Sequence, residues 1–333
     1  MRKVAFALLL AAMAMPARAN DSSAELATGG LVLVRNDNIE MRAEDLFISS
    51  AEIRVNYRFY NKAANDVTVL VAFPMPEVRI EHQDQNIALP TEDPVNLLGF
   101  VTRVNGQTVA MQVEQRVFAG GVDHTAFLRG LGVPLAPHLE TTNKALDRLP
   151  RNQRDELVRV GLAEIEEADF GKGIEKHLSA RWGLQTTFYW QQTFPAQKET
   201  MIEHRYKPSV GGTVITPLGT DFARGMPEHA EMLQKFCIER DILNALDRAR
   251  RAARNSAVAP YGEERIEYIL KTGANWSGPI KDFRLVVDKG KPDNLVSFCG
   301  DGVKKIGPTQ FEMRKKDFTP DSNFAVLILK RLR

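Results

Sequence analysis

The chain has 333 residues, 26% of them charged, with two cysteines and a formal net charge of +2. A near-balanced charge excludes the basic excess that a protein needs to neutralise nucleic-acid phosphates. The length suits two domains of ordinary size.

The first nineteen residues read as an address. Arg2 and Lys3 precede an apolar run from Val4 to Met15, and Pro16 breaks it ahead of Ala17-Arg18-Ala19. A positive start, a short apolar core and a small-x-small end form the pattern of a secretory signal peptide. The run falls short of the roughly 18 apolar residues that a membrane span requires. A buried N-terminal helix is the alternative. Cleavage is expected after Ala19, with the mature chain starting at Asn20. Removing Arg2, Lys3 and Arg18 takes the formal charge from +2 to −1. No later stretch approaches membrane-spanning length, so a soluble periplasmic or secreted protein is expected.

From Leu31 the hydrophobic period is mostly two, which predicts strands. Leu31 to Val34, Leu46 to Ile48 and Ile53 to Tyr60 are candidates, the last alternating Ile53, Val55, Tyr57 and Phe59 with polar residues. "NKAAND" reads as a turn, and Val67 to Phe73 as the returning partner of a hairpin with one buried face. Pro74 and Pro76 remove two backbone donors, so they are expected to end that strand and keep its rim from pairing. Val101 to Val104, Asn105-Gly106 and Thr108 to Val113 predict a second hairpin.

Between about Glu140 and His177 the period changes to that of helices. Leu146, Leu149, Leu157, Val158 and Leu162 recur at helical spacing, with Gly161 as a stop. The acidic run Glu164, Glu166, Glu167 and Asp169 reads as a solvated helix face, with cation binding as the alternative.

The second half opens on a strand with Trp182, Leu184, Thr186, Phe188 and Trp190 on one face. Core packing explains such a stripe, and a sugar-stacking platform is the alternative. Phe73-Pro74 and Phe194-Pro195 recur, each followed by an Ile-Glu-His. The repeat suggests two related β-sandwiches, or coincidence. Residues 227–255 are predicted helical, with Ile242, Leu246, Ala249 and Ala253 on one face. Arg248, Arg250, Arg251 and Arg254 gather at its end, where cations complement the helix dipole or form an anion patch. Strands are then expected over Glu264 to Lys271, Phe283 to Asp288, Leu295 to Cys299, Gln310 to Lys315 and Phe324 to Leu329.

Cys237 and Cys299 stand 62 positions apart. In an oxidising compartment an isolated pair is expected to form one disulfide, pinning the helix to the second sheet and stabilising by roughly 4 kcal/mol. Two buried free thiols are the alternative.

The sequence holds no catalytic signature of the recognised kinds: no H-E-x-x-H, G-x-S-x-G, S-x-x-K, phosphate-binding loop or dinucleotide fingerprint occurs. No cofactor or metal is expected. His204, flanked by Glu203 and Arg205 on an expected strand, is the histidine to watch. A neutral imidazole hydrogen-bonded in a loop is its plainer reading.

Five blocks carry a resemblance: "NDSSAELATGGLVLVRNDNIEM", "VAFPMP", "FYWQQTFPA", "EHRYKPSVGG" and "VDKGKPDNLVSFCGDGVKKIGPTQFEMRKKDF". In this order they resemble domain-of-unknown-function family 4424, a bacterial set of secreted or periplasmic proteins. The resemblance implies export and a β-rich build, and it brings no catalytic residues. Residues 53–78 are also similar to VIT-type β-sandwich modules, with Met75 where those carry Leu.

The expected fold is therefore mainly β (α+β), with two β-sandwich-like domains over 20–138 and 181–333 and a helical insert over 139–180. The expected function is non-enzymatic binding to an envelope protein. A cell-wall glycan bound through Trp182, Trp190, Trp276 or Tyr189 is the first rival, and a hydrolase built around His204 is the second. Trp190, His204, Trp276 and Arg251 are the candidate binding residues.

Overall fold

A computed structural model describes residues 20–27, 30–79, 89–169, 173–253 and 258–332. The leader expected over residues 1–19, with its end at Ala19, lies outside them. Two sheets stack face to face. The first runs, edge to edge, Val122–Asp123, Gln112–Ala119, Gly183–Phe194, Val67–Pro74, Ser22–Ala27 and Gly30–Val34, with Val78–Arg79 added beside Gly183–Phe194. The second runs Lys304–Lys305, Gln310–Phe318, Ile280–Asp288, Ile39–Ser49, Ile53–Asn61, Glu199–Tyr206, Val101–Val104 and Gln107–Thr108. Its one parallel pairing joins Ile280–Asp288 to Ile39–Ser49. Alternation along Ile53–Asn61 turns Ile53, Val55, Tyr57 and Phe59 inward, and all four are buried. Ring pairs join the sheets: Phe100 to Phe188 at 4.7 Å and Phe59 to Phe194 at 5.8 Å between centroids.

The expected hairpin of Ile53–Asn61 with Val67–Pro74 does not form. The first strand pairs with Ile39–Ser49 and Glu199–Tyr206, the second with Ser22–Ala27 and Gly183–Phe194. The "NKAAND" segment carries the chain from one sheet to the other. Period two reports a buried face, and that face is buried equally by stacking or by pairing in one sheet. Val67–Pro74 is consequently an interior strand, and the prolines do not guard an edge. Met75 N donates to Thr186 O at 2.8 Å, and Phe73, Met75 and Val78 are buried.

The sheets also cross the boundary expected at 181. Gly183–Phe194 and Glu199–Tyr206 pair with strands from the N-terminal half, and Ile280–Asp288 lies beside Ile39–Ser49. The two Phe-Pro strands are hydrogen-bonded neighbours in one sheet, Phe73 opposite Phe188, so the short repeat does not mark two sandwiches. The insert is helical only at first, in Glu140–Asp147 and Arg151–Arg159. Gly161, at φ +74°, ends the second helix. An antiparallel ribbon of Ala163–Asp169 and Ile174–Ala180 follows, so the acidic run is strand and not helix. Its carboxylates find cations, Glu167 with Lys176 at 2.7 Å and Glu164 with Arg181 at 2.8 Å.

A third sheet, ordered Tyr261–Tyr268, Phe324–Arg331, Leu295–Phe298, has both faces covered. Val326 and Ile328 belong to the main core, while Leu327 and Leu329 pack with Leu218, Phe236 and Leu246 in a second one. The unbroken apolar run "FAVLIL" follows from this double burial. The helix expected over 227–255 is two, His229–Lys235 and Arg240–Ala252, and residues 254–257 lie outside the description. The break falls at Cys237, whose φ is +47°. Cys237 is bonded to Cys299 (S–S 2.08 Å), and Ser297 Oγ donates to the carbonyls of Phe236 and Cys237 at 3.0 Å. The bridge therefore holds the break between two helices against the edge of the third sheet.

Replacing both cysteines by serine should lower unfolding stability by up to about 4 kcal/mol, the loop-closure value for a bridge of this span. Urea unfolding of the oxidised protein and the double variant measures it. Identical midpoints would show that Ser297 and the second core hold the helices without the bridge.

Candidate functional site

Two places have the polar chemistry of a site, one enclosed and one open. The enclosed one lies between the sheets. Strand register brings its members together: Glu44 stands opposite Tyr57, and His204 stands opposite Val55 on one side and Thr102 on the other. A bulge between Met41 and Ala43 switches the inward parity of its strand, from Ile39 and Met41 to Glu44, Leu46 and Ile48. That switch turns a carboxylate into the core.

Asn20 and Asp21 enter this centre from the first described residues, both without exposed surface. Asp21 Oδ1 lies 2.9 Å from His204 Nε2, and Thr102 Oγ1 lies 2.9 Å from His204 Nδ1. Trp276 Nε1 donates to Asp21 O at 2.7 Å, and Thr272 Oγ1 to Asn20 O at 2.8 Å. Asn20 Nδ2 donates to Glu44 Oε2 at 3.2 Å and Leu270 O at 3.3 Å. Tyr57 donates to the Asn20 amide oxygen and lies 3.1 Å, oxygen to oxygen, from Tyr268, which reaches Glu44 Oε1 at 3.5 Å. Asp21 Oδ2 and the Tyr206 hydroxyl are buried with no hydrogen-bond partner among the described residues. Burial pushes the Glu44 carboxyl up to about 8, opposed by the Asn20 amide and reinforced by the Asp21 charge. Burial also raises Asp21, against the pull of His204, and raises the Tyr57 and Tyr268 hydroxyls well above their ordinary range.

Thr102, His204 and Asp21 have the hydroxyl–imidazole–carboxylate order of a nucleophilic hydrolase. None has exposed surface, and Phe73, Phe100, Tyr57 and Trp190 surround the imidazole at 4.8, 5.0, 5.6 and 5.7 Å. No substrate could reach the hydroxyl without the sheets separating. His204 is a buried, hydrogen-bonded imidazole, carried on strand Glu199–Tyr206 and not in a loop.

The remaining candidates separate. Trp182 and Trp276 have no exposed surface and Trp190 is 4% exposed, so none offers a face for a sugar. Their indole nitrogens are engaged inside, Trp182 with Leu135 O and Trp190 with Gln192 Oε1. The stripe packs because the opposing sheet covers it. Arg251 is exposed near a helix end and is ion-paired with Asp247, which also holds Arg250. Among the described residues no three His, Cys, Asp or Glu side chains gather as metal ligands, and no helix is long and apolar enough to cross a membrane.

The open place is a cleft of about 590 Å³ between one end of the second sheet and the third sheet. The turn 49–52 supplies Ser50 and Glu52, strand Glu199–Tyr206 supplies Arg205, the turn after Ile280–Asp288 supplies Lys289 and Lys291, and Phe324–Arg331 supplies Lys330. Arg205 pairs with Glu52 at 2.7 Å and Lys330 with Glu264 at 2.6 Å. Lys289 is nearly buried and donates to the carbonyls of Pro292 and Asn294, at 2.7 and 2.5 Å; burial lowers its pKa. Lys291 is exposed and has no ion pair among the described residues. Of these cations only Arg205 was legible in the sequence, because the four lie on three segments far apart in the chain, Glu199–Tyr206, the turn 289–291 and Phe324–Arg331.

The family model described as a domain of unknown function, DUF4424, matches residues 19–327, and the chain belongs to that family. No curated protein is significantly similar to it in sequence. Among solved structures, a Legionella pneumophila protein provisionally described as nutrient binding aligns over 93% of this chain and 70% of its own, at 16% identity and a TM-score of 0.47. A Deinococcus radiodurans M1 zinc metallopeptidase aligns over 89% of this chain and 43% of its own, at 6% identity and a TM-score of 0.21. Both likenesses are too distant to bear on function.

Because Glu44 holds its proton up to about 8 in the fold against 4.5 when unfolded, the folded state binds the extra proton between those values. Stability is then full below the unfolded value and falls as pH rises toward the folded one. With Asn20 joined to residue 19 by an amide, urea unfolding at about pH 5 and pH 8 should differ by a few kcal/mol, each tenfold in proton affinity being worth about 1.4 kcal/mol. Glu44→Gln should flatten that difference; an unchanged slope in the variant would assign the titration to another group.

Proposed function

We propose that this DUF4424 protein works outside the cytoplasm as a non-enzymatic binding protein of the cell envelope, and that its partner presents an anionic group to the cleft between the second and third sheets. The observation that carries the reading is the cleft itself: about 590 Å³, open, and walled by Arg205, Lys289, Lys291 and Lys330 against Glu52 and Asp288. The cations outnumber the carboxylates on the wall, and Lys291 is available to a carboxylate or phosphate. The leader pattern of residues 1–19 supports export, and a disulfide suits an oxidising compartment. The enclosed Thr102–His204–Asp21 group supports a non-enzymatic role, since its hydroxyl faces no opening. The burial of the three tryptophans counts against the glycan reading, which keeps only the half-buried Tyr189 as a stacking surface.

A photo-crosslinking residue at Ser50, in living cells, tests the cleft. One dominant envelope partner is expected, captured about tenfold less when Lys291→Glu and Lys330→Glu are combined, the loss that about 1.4 kcal/mol of charge contacts would cause. Capture of the same partner with equal yield from exposed Lys144, on the helix Glu140–Asp147, would place the interaction elsewhere.

A further inference from the structure

The start of the described chain is placed unusually. Asn20 and Asp21 have no exposed surface, and they are gripped by five segments: Glu44, Tyr57, His204, the 268–272 stretch and Trp276. The fit is close. A Cβ on Gly273 would stand 2.7 Å from Asn20 Nδ2, so glycine there leaves the room that the amide occupies. A chain that continues backwards from residue 20 must leave an enclosed position, whereas a chain that ends there need not. The charges are lopsided too. Two carboxylates, Asp21 and Glu44, share the space with one imidazole, His204, and with the neutral hydroxyls of Tyr57 and Tyr268. One carboxylate oxygen, Asp21 Oδ2, is buried without a partner among the described residues. Buried carboxylates of this kind ordinarily have a cation or further donors beside them.

We propose that the socket is built for a free chain terminus: cleavage after Ala19 creates the Asn20 α-ammonium, and that ammonium is the counter-charge for the Asp21 and Glu44 carboxylates. The inference rests on the export reading, because the same leader supplies the cleavage. The step is a plain hydrolysis. Water adds across the Ala19–Asn20 amide, the C–N bond breaks, Ala19 keeps a carboxylate, and the Asn20 amine takes a proton. Before it, residue 20 offers one N–H and no charge; after it, three N–H donors and a positive charge. The cleaved chain can therefore satisfy Asp21 Oδ2 and keep Glu44 ionised. The uncleaved chain leaves one acceptor bare and obliges Glu44 to hold its proton. Processing thus supplies the charge that the enclosed carboxylates lack.

Three forms of the mature chain test this: one beginning at Asn20 with a free amine, one with that amine acetylated, and one extended by Gly-Ser. The free form should melt about 10 °C above both others, the loss expected when a buried charge loses its partner in a protein of this size. Its stability should also lack the fall between about pH 5 and pH 8, which the acetylated and extended forms retain. Should the altered forms fail to fold, amine reactivity decides the matter on the free form alone. An acylating reagent near pH 7 should modify the α-amine at least 100-fold more slowly in the native protein than in urea. Equal melting of all three forms, or equal acylation rates, would overturn the proposal. The mass of the exported protein separates the two ideas. A start at Asn20 with equal melting refutes only the terminal ion pair, whereas a start elsewhere refutes the leader reading and the proposal with it.

Discussion

Asp21 is held between His204 on the second sheet and Trp276 beyond it, while its neighbour Asn20 is held between Glu44 and Leu270. The rest of the structure depends on that clamp. Ser22–Ala27 follows directly from the two anchored residues and lies beside Val67–Pro74. The clamp draws on strands Ile39–Ser49, Ile53–Asn61 and Glu199–Tyr206 and on the Leu270–Trp276 stretch, so it ties segments of both halves of the sequence into one core. Polar groups in such a place are expensive unless satisfied, and nearly all of these are. The cost of the exceptions explains why they direct attention to what else belongs there.

The third sheet sets the remaining geometry. Its central strand, Phe324–Arg331, serves two cores at once, and Tyr268 on its neighbour Tyr261–Tyr268 reaches the clamp. The far side of that sheet is covered by helices that the Cys237–Cys299 bridge holds in place. Where this sheet meets the end of the second one, the strand ends diverge and the cleft opens. Enclosed chemistry and open surface thus arise from one packing decision: the third sheet seals the sandwich at Tyr268 and leaves a gap at Lys330.

Much of the strand content was legible as alternation. Ile53–Asn61 and Gly183–Phe194 are nearly as the pattern predicts, and the two cysteines do pair. Three things were not legible. Alternation along Ile53–Asn61 and Val67–Pro74 is the same whether two strands pair or stack, so the crossing at "NKAAND" left no mark. The ribbon Ala163–Asp169 is too acidic to resemble a strand, and it is one because Gly161 stops the helix and Lys176 and Arg181 neutralise its charge. Glu44 faces inward only because of a bulge, a single extra residue that no pattern of residue types announces.

By itself the sequence determined what local chemistry can carry: a leader-like start, strands with one apolar face, a Gly-ended helix, a bridge-capable cysteine pair. His204 was visible as an oddity on a strand, sharing parity with Ile202 and Tyr206. Only the tertiary structure decided that its imidazole meets Asp21 from 183 positions away, and that Lys289, Lys330 and Arg205 share a cleft. The reason is physical. Alternation and turn propensity act over a few residues, whereas the partner of a buried charge is chosen by sheet order and register, which are properties of the packed chain as a whole.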